Sequence, residues 1–262
     1  MKPFILFFDI DGTILSHRTF TISDSTKNAI VQARKNGHLA FLNTGRTSAE
    51  MGNDILDVGF DGCVYGCGTR IVYQDKELLH VTLPDNLIPG LIEDLRNYKI
   101  EAIFEGTNAI YYENTYTNPI AQRIKYDHVN RHSFRVESWE APDISVDKFC
   151  IWPTSQAGLA AFCEKYQNVL DFIDRGEGFY EVVPKGYSKA TGIEFLIKHL
   201  NIPYENTFAL GDSSNDLPML EYVKHSIAMG NASKVVLDMA SFVTKDVDED
   251  GIEFALKHFN II

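Results

Sequence analysis

The chain has 262 residues, of which 45% are hydrophobic and 23% charged, so it can bury a substantial core and is not predicted to be disordered. Its formal net charge of -12 repels the phosphates of nucleic acids and anionic lipids, which argues against partners of either kind. The apolar run at residues 4–8 is too short for a signal peptide, and no stretch reaches the ~20 apolar residues of a membrane span. Four scattered cysteines, Cys63, Cys67, Cys150 and Cys163, fit a reducing, cytoplasmic location.

The N-terminal part of the chain alternates between predicted strands and helices. Residues 4–8 are continuously apolar, as in a strand that is covered on both faces, and a helix follows between the cap candidates Ser23 and Asp24 and the terminator Gly37. Residues 39–42 predict a second buried strand, and residues 48–58 predict another helix. This order of elements is typical of a parallel sheet with helical crossovers.

The pattern changes between Pro84 and Pro184, where most predicted elements are strands. Residues 101–105 and 109–112 flank a Gly-Thr-Asn turn and predict a hairpin. Further strands are predicted at residues 147–152, 169–173 and 179–183. We therefore expect an α+β domain, over residues 84–184, to be inserted into the rest of the chain.

After Pro184 the alternating pattern returns. Helices are predicted at residues 189–200, 217–223 and 251–259, and strands at residues 207–210, 226–229 and 241–243. The two ends of the chain together therefore predict one α/β core, made of residues 1–83 and 185–262.

Two carboxylates stand where the first predicted strand ends. Asp9 and Asp11 occupy positions i and i+2 of an extended segment, so they face the same side, at the sheet edge where α/β proteins bind ligands. A calcium-binding loop is excluded by its spacing, since its sixth residue would be Ile14 instead of glycine and its twelfth Phe20 instead of glutamate. The Asp-x-Asp pattern alone is also compatible with two solvated loop acids.

A second acidic run, Gly211 to Asp216, follows the strand predicted at residues 207–210. On its own it could cap the next helix through Ser214 or Asn215. Because parallel strands end at one edge of a sheet, however, the acids of both runs are expected to converge there. Clustered carboxylates repel one another unless a cation neutralises them, and a set of oxygen ligands favours Mg²⁺.

Two further segments could meet a phosphate at this edge. Thr44 and Gly45 follow the second predicted strand and offer a hydroxyl and backbone N–H groups, and Lys189 stands at the start of a predicted helix. Taken singly, Thr44 and Gly45 fit an ordinary turn and Lys189 fits a solvated lysine. Their interpretation depends on the combination with the acidic runs.

This combination resembles the haloacid dehalogenase superfamily of phosphatases, and most closely its Cof-type branch, which carries a C2-type cap domain. The matching motifs are Asp9 to Thr13, Thr44 in Asn-Thr-Gly-Arg, Lys189 in Tyr-Ser-Lys, and Asp212, Asn215 and Asp216. Residues 228–232 and 248–251 are also similar to this branch. The chain departs from it at residues 67–69, Cys-Gly-Thr where Asn-Gly-Ala is common, and at Ser213 or Ser214, where glycine is common.

The resemblance implies a Rossmann-like core, with the insert as a cap that selects the substrate. It makes Asp9 the nucleophile and Asp11 the general acid and base. Mg²⁺ would be held by the Asp9 side chain, the Asp11 backbone carbonyl and Asp212, with Asp216 in support. The phosphoryl group would meet Thr44, Gly45, Lys189 and Asn215, with Lys185 as a competitor for the place of Lys189.

The expected function is hydrolysis of a small phosphorylated metabolite, with sugar phosphates as the first candidates. Asp9 has a reference pKa near ~4 and is ionised at neutral pH, whereas Asp11 needs its pKa raised by nearby negative charge to donate a proton. Arg175 and Glu181 of the insert are candidates for polar substrate contacts. The alternatives are a sugar phosphomutase, which retains its bisphosphate intermediate, and a non-catalytic sensor of phosphorylated metabolites.

Overall fold

The computed structural model describes residues 2–130 and 134–262, which form two compact units. The core unit comprises the chain up to Gly45, Asn53–Leu79 and Ser188–Ile262, and the inserted unit comprises Arg46–Gly52 and His80–Tyr187. Within the described ranges, no helix combines the length and the apolar character that crossing a membrane requires.

Strands and helices alternate along the core unit and are mixed within the inserted unit. In chain order, the strands are β1 (Ile5–Phe8), β2 (Leu39–Asn43), β3 (Gly62–Tyr65), β4 (Arg70–Tyr73), β5 (Lys76–His80), β6 (Ile100–Glu105), β7 (Ile110–Tyr112), β8 (Val136–Ser138), β9 (Lys148–Pro153), β10 (Leu170–Asp174), β11 (Tyr180–Pro184), β12 (Thr207–Gly211), β13 (His225–Ala228) and β14 (Phe242–Val243). The helices are α1 (Asp24–Lys35), α2 (Asn53–Leu56), α3 (Ile88–Asn97), α4 (Pro119–Asn130), α5 (Gln156–Tyr166), α6 (Lys189–His199), α7 (Leu217–Tyr222), α8 (Lys234–Met239) and α9 (Gly251–His258).

The sheet of the core unit has the strand order β14-β13-β12-β1-β2-β3-β4-β5. The pairs from β14 to β3 are parallel and β3 pairs antiparallel with β4, so the predicted parallel-sheet core is confirmed. β1 lies between β12 and β2, where its last residue, Phe8, pairs with both Leu210 and Leu42. This register places the last residue of β1 beside the next-to-last residues of β12 and β2, so that Asp9, which follows β1, comes level with Gly211 and Asn43.

Capping residues fix where the helices next to this edge begin. Of the two cap candidates, Ser23 caps α1, because its side chain accepts a hydrogen bond from the backbone N–H of Thr26, and Asp24 is the first residue of the helix. Ser188 caps α6 in the same way through Thr191, which makes Lys189 the first residue of that helix. Apolar side chains of β1 and α6, including Phe7 and Leu196, lie in one buried cluster that holds the helix on the sheet.

The inserted unit is built on a second sheet, with the order β10-β11-β9-β6-β7-β8. Its pairs are antiparallel except for β7 with β8, and the predicted hairpin and the three predicted strands of the insert are present. The sheet has its own hydrophobic core, in which Phe104 and Phe149 pack with Leu95 of α3 and Phe162 of α5.

The helix predicted at residues 48–58 is wrong. A single 3₁₀ turn covers Ser48–Glu50, Met51 is extended, and α2 is only four residues long. Tertiary contacts explain the break, because the Ser48 hydroxyl donates to the Thr107 carbonyl at 2.8 Å and Ala49 packs in an apolar cluster of the inserted unit. The apolar spacing of this segment could not predict these tertiary contacts.

Candidate active site

Asp9 is the first residue after β1 and is 5% exposed. Its backbone N–H donates to the carbonyl of Leu210 at 3.0 Å, which continues the pairing of β1 with β12 by one residue. Its Oδ1 lies 2.6 Å from Nζ of Lys189. The predicted nucleophile is therefore buried at the strand end and paired with a cation.

Lys189 is buried between two carboxylates. Its Nζ lies 2.6 Å from Asp9 Oδ1 and 2.6 Å from Asp216 Oδ1. Burial alone would lower the pKa of Lys189, but the neighbouring Asp216 and Asp9 raise it, so the ammonium stays protonated. The amide Nδ2 of Asn43, at the end of β2, donates to the Lys189 carbonyl at 3.0 Å and holds the start of α6 against the sheet.

Asp216 has both carboxylate oxygens engaged. Oδ1 faces Lys189, and Oδ2 accepts the backbone N–H groups of Asp212 and Ser213 at 2.9 and 3.0 Å. Gly211 makes room for this arrangement, since a Cβ there would lie 2.6 Å from Asp216 Cγ. Asp216 therefore shapes the loop after β12 and positions Lys189.

Asp212 lies against the turn that follows Asp11. Thr13 donates from its hydroxyl to Asp212 Oδ1 at 3.1 Å. Gly12 adopts φ +82°, and a Cβ at this position would lie 2.8 Å from Asp212 Cγ. The glycine thus serves two purposes, because it permits a left-handed turn and lets the Asp212 carboxylate approach the backbone.

The site offers the kind of oxygen ligands that a hard divalent cation prefers. Oxygens of Asp9, Asp212 and Asp216 lie within 4.8 Å of one another, and all three residues are buried. Burial raises the pKa of Asp9, as do Asp216, Asp212 and Asp11, whereas Lys189 lowers it. A bound cation would lower the pKa of Asp9 again and keep the carboxylates ionised. The side chain of Asp11 lies outside the group of three, so its predicted part through the backbone carbonyl stays a prediction.

The predicted phosphate-binding residues follow the ends of β2 and β12. Thr44 is buried, its N–H donates to the Val64 carbonyl at 2.9 Å, and Gly45 is the next residue. Asn215 is 7% exposed, and its Oδ1 accepts from the Ser213 hydroxyl at 2.9 Å. Their contact with a phosphoryl group stays a prediction.

Two other predicted residues belong to the inserted unit. Arg175 Nη1 lies 3.3 Å from Glu181 Oε2, and Lys148 lies 3.7 Å from the other carboxylate oxygen of Glu181. These candidates for substrate contacts are therefore part of a charge cluster within that unit.

Sequence reasoning did not assign functions to Asn43 and Thr13. Asn43 binds the Lys189 carbonyl and Thr13 binds the Asp212 carboxylate, so each connects two motifs that are far apart in the chain. Both residues lie inside the recognised motifs, but their spacing carries no sign of these partners.

The core unit thus holds a buried Asp9–Lys189 ion pair beside the carboxylates of Asp212 and Asp216, on a parallel α/β sheet. Residues 6–256 match the family of haloacid dehalogenase-like hydrolases. The chain therefore belongs to this family, and the resemblance that its motifs indicated is confirmed. The C2 type of the cap stays a prediction.

Individual relatives cover the whole chain. The Bacillus subtilis protein YkrA is 30% identical, over 100% of both chains. The phosphatase YwpJ of Bacillus subtilis is 28% identical, over 97% of this chain and 99% of YwpJ. Among solved structures, the subclass IIB sugar phosphatase BT4131 is similar with a TM-score of 0.84 at 28% identity, over 98% of this chain and 99% of BT4131.

Proposed function

We propose that this protein is a magnesium-dependent phosphatase that hydrolyses a small phosphate monoester through an aspartyl-phosphate on Asp9. The observation that carries the proposal is the buried pair of Asp9 and Lys189, 2.6 Å apart at the end of β1. Two further carboxylates, Asp212 and Asp216, lie close enough to hold a cation together with Asp9.

In the first step, a carboxylate oxygen of Asp9 attacks phosphorus, and the bond from phosphorus to the alcohol oxygen breaks. Lys189 offsets the repulsion between the carboxylate and the anionic phosphate. Asp11 donates its proton to the departing alcohol oxygen. The products of this step are the free alcohol and a phosphorylated Asp9.

In the second step, a water molecule attacks the phosphorus of the phosphorylated Asp9. Asp11, now ionised, removes a proton from that water, and the bond from phosphorus to the Asp9 oxygen breaks. Inorganic phosphate leaves, the Asp9 carboxylate is restored, and Asp11 is protonated again. Each group therefore returns to its starting state.

The remaining residues bind and orient. Thr44, Gly45, Asn215 and Lys189 contact the phosphoryl oxygens. Mg²⁺, when held by the Asp9 and Asp212 side chains and the Asp11 backbone carbonyl, supplies charge neutralisation at the transferring phosphoryl group. Asp216 keeps the loop after β12 in place, because both its oxygens already have partners.

The substrate that we propose is a sugar phosphate or a similar metabolite, selected by the inserted domain that the sequence predicts over residues 84–184. Support comes from BT4131, a sugar phosphatase that is similar to this chain along its length. A cytoplasmic location is part of the proposal, since the thiols of Cys63, Cys150 and Cys163 are not in disulfides, as expected in a reducing compartment.

The test is release of inorganic phosphate from a panel of phosphorylated metabolites and from p-nitrophenyl phosphate, with Mg²⁺ and with a chelator. Asp9→Asn keeps the shape of the side chain and removes the nucleophile, so we expect kcat to fall on the order of 10³-fold or more. Asp54→Asn is the matched control, because Asp54 is an exposed acid on α2 of the same unit.

Full activity of Asp9→Asn would refute the nucleophile assignment. Isomerised product without phosphate release would indicate the phosphomutase instead. Absence of turnover across the panel, with metabolite binding retained, would favour the sensor.

A further inference from the structure

A loop after β13, residues 229–233, joins the two acidic runs of the core unit. Backbone N–H groups at its two ends donate to the carbonyl oxygens of Gly211 and Asp212, at 3.0 and 2.8 Å. From its middle, Asn231 donates through Nδ2 to the carbonyl of Gly12 at 2.7 Å. This linking loop therefore holds the end of β12 and the turn after β1 at the same time.

The amide of Asn231 is held in one orientation. Its Oδ1 accepts the backbone N–H of Val247 at 2.9 Å. Because an N–H can donate only to the oxygen end of an amide, this bond directs Nδ2 to the Gly12 carbonyl. The adjacent Gly230 N–H donates to the carbonyl of Lys245 at 2.9 Å, which anchors the loop on the same segment.

The Gly12 carbonyl belongs to the peptide between Gly12 and Thr13. On one side of this peptide is the Cα of Gly12, which the Asp11 carbonyl precedes in the chain. On the other side is Thr13, whose hydroxyl donates to Asp212 Oδ1 at 3.1 Å. The Asp212 carboxylate also packs against the Cα of Gly12. A shift of this peptide would therefore move the Asp11 carbonyl and the Asp212 carboxylate relative to each other.

We propose that Asn231 is a positioning residue for the phosphatase reaction, which fixes the Gly12–Thr13 peptide and thereby the spacing of the groups that bind the cation. The inference rests on the proposed function, because it gives Asn231 a part in the reaction of Asp9. Asn231 acts through the backbone of another loop and is not a catalytic residue.

Two variants separate its hydrogen bonds. Asn231→Ala removes both bonds, whereas Asn231→Asp keeps an oxygen for the Val247 N–H and loses the donor to Gly12. Asn206→Ala is the matched control, since Asn206 Nδ2 donates to the carbonyls of Lys2 and Pro3 at 3.1 Å and holds the other end of β1.

The measurements are kcat and KM for p-nitrophenyl phosphate, and the Mg²⁺ concentration that gives half of the rise in Tm. Asn231→Ala should lower kcat or raise that Mg²⁺ concentration about 10- to 100-fold, as is usual when a residue that orients the metal ligands is lost. KM should change much less, because Asn231 does not touch the substrate. Asn231→Asp should lose kcat as Asn231→Ala does, and Asn206→Ala should lower Tm alone.

A purely structural role would make the Asn231 variants behave like Asn206→Ala in kcat and in the Mg²⁺ titration, which would overturn the proposal. Wild-type kcat in Asn231→Asp would also overturn it, because the donor to Gly12 would then be dispensable. If Asn231→Ala does not fold, the isosteric Asn231→Asp carries the test. Failure of the proposed function would be recognised by a different result, namely full phosphatase activity of Asp9→Asn.

Discussion

The turn after Asp11 requires glycine for two separate physical reasons. Gly12 has φ +82°, a conformation that costs other residues roughly 1–2 kcal/mol. Its Cα also faces the Asp212 carboxylate, so that a Cβ would lie 2.8 Å from Asp212 Cγ. Only the second reason concerns the active site.

Gly12→Ala should therefore lose far more than the backbone strain alone explains. We expect kcat to fall ~100-fold, because a displacement of about 1 Å at Asp212 is sufficient for a loss of that order. Gly37→Ala is the control, since Gly37 has φ +88° and nothing within 4 Å of the added Cβ. Steady-state kinetics and urea unfolding of both variants make the comparison.

Gly37→Ala should lose stability and keep kcat. Equal kcat in the two variants would show that Asp212 adjusts to the added methyl group. The difference between the two variants isolates the contact with Asp212 from the effect of a left-handed backbone.

Residue types and spacing predict the charged members of the site. Asp9, Asp212 and Asp216 were predicted to converge because acids at the ends of parallel strands meet at one sheet edge, and Lys189 was predicted at the start of a helix, where it could meet phosphate. The structure places these four residues together. The function of Asn43 was not predictable in this way. Its partner is a backbone carbonyl 146 positions away, and backbone groups are the same in every residue.

At the level of elements, the register of β1 is what gathers the site. Phe8 pairs with Leu210 on one side and with Leu42 on the other, so the three strands end within one residue of one another. The continuous apolar composition of these strands predicted that they are buried in a parallel sheet. Register itself was not predicted, because it depends on pairing between segments that are far apart in the sequence.

The inserted unit was harder to predict than the core unit. Its strands showed apolar runs between turn residues, but α3, α4 and α5 were not assigned individually. Helix α4 has only one buried side chain, that of Ala121, so its apolar periodicity is weak.

A buried lysine and a buried glutamate lie together in the inserted unit. Lys148 of β9 lies 2.5 Å from Glu105 Oε2 of β6, and both side chains are buried. Burial raises the pKa of Glu105 to about 8, with a further contribution from Glu50, while Lys148 and Cys150 act in the opposite direction. The folded state therefore holds the Glu105 proton more tightly than the unfolded state.

This pKa predicts how the stability of the protein depends on pH. Between the ordinary value of 4.5 and about 8, only the folded state keeps the Glu105 proton, so the free energy of unfolding falls as the pH rises through this window. Glu105→Gln is never charged and lacks this dependence. Its stability relative to wild type should rise with pH, by at most ~1.4 kcal/mol per pH unit.

Glu113→Gln is the control, because hydrogen bonds from Arg96 and Asn114 lower the pKa of Glu113 despite partial burial. Above the lower end of this window, Glu113 is ionised in both states, so its variant should show a constant difference from wild type there. Urea unfolding at several pH values measures both variants. A constant difference for Glu105→Gln would contradict the assigned pKa.

At the scale of the whole molecule, the negative net charge disfavours binding of an anionic substrate. The net charge of -12 repels an anionic substrate, so binding depends on local cations. When all three carboxylates of Asp9, Asp212 and Asp216 are ionised, the one positive charge of Lys189 leaves two negative charges in this group. A divalent cation balances that excess.

The two units also have separate hydrophobic cores. Phe7, Phe41 and Leu196 belong to the core unit, and Phe104 and Phe149 to the inserted unit. Since all three carboxylates belong to the core unit, a cation stabilises that unit directly.

These two facts predict the response of thermal unfolding to metal. Mg²⁺ at about 100 times its Kd should add ~2.7 kcal/mol to the free energy of unfolding. This should raise Tm by roughly 5–10 °C relative to protein in a chelator. Asp212→Asn should abolish most of this rise, since it removes one of the charges that the cation balances.

Calorimetry also tests which of the two units the cation stabilises. If the units unfold in two transitions, Mg²⁺ should move only one of them, and Glu105→Gln should move the other. A Tm that is unchanged by Mg²⁺ in wild type, or one that rises equally in Asp212→Asn, would show that these carboxylates do not form the metal site.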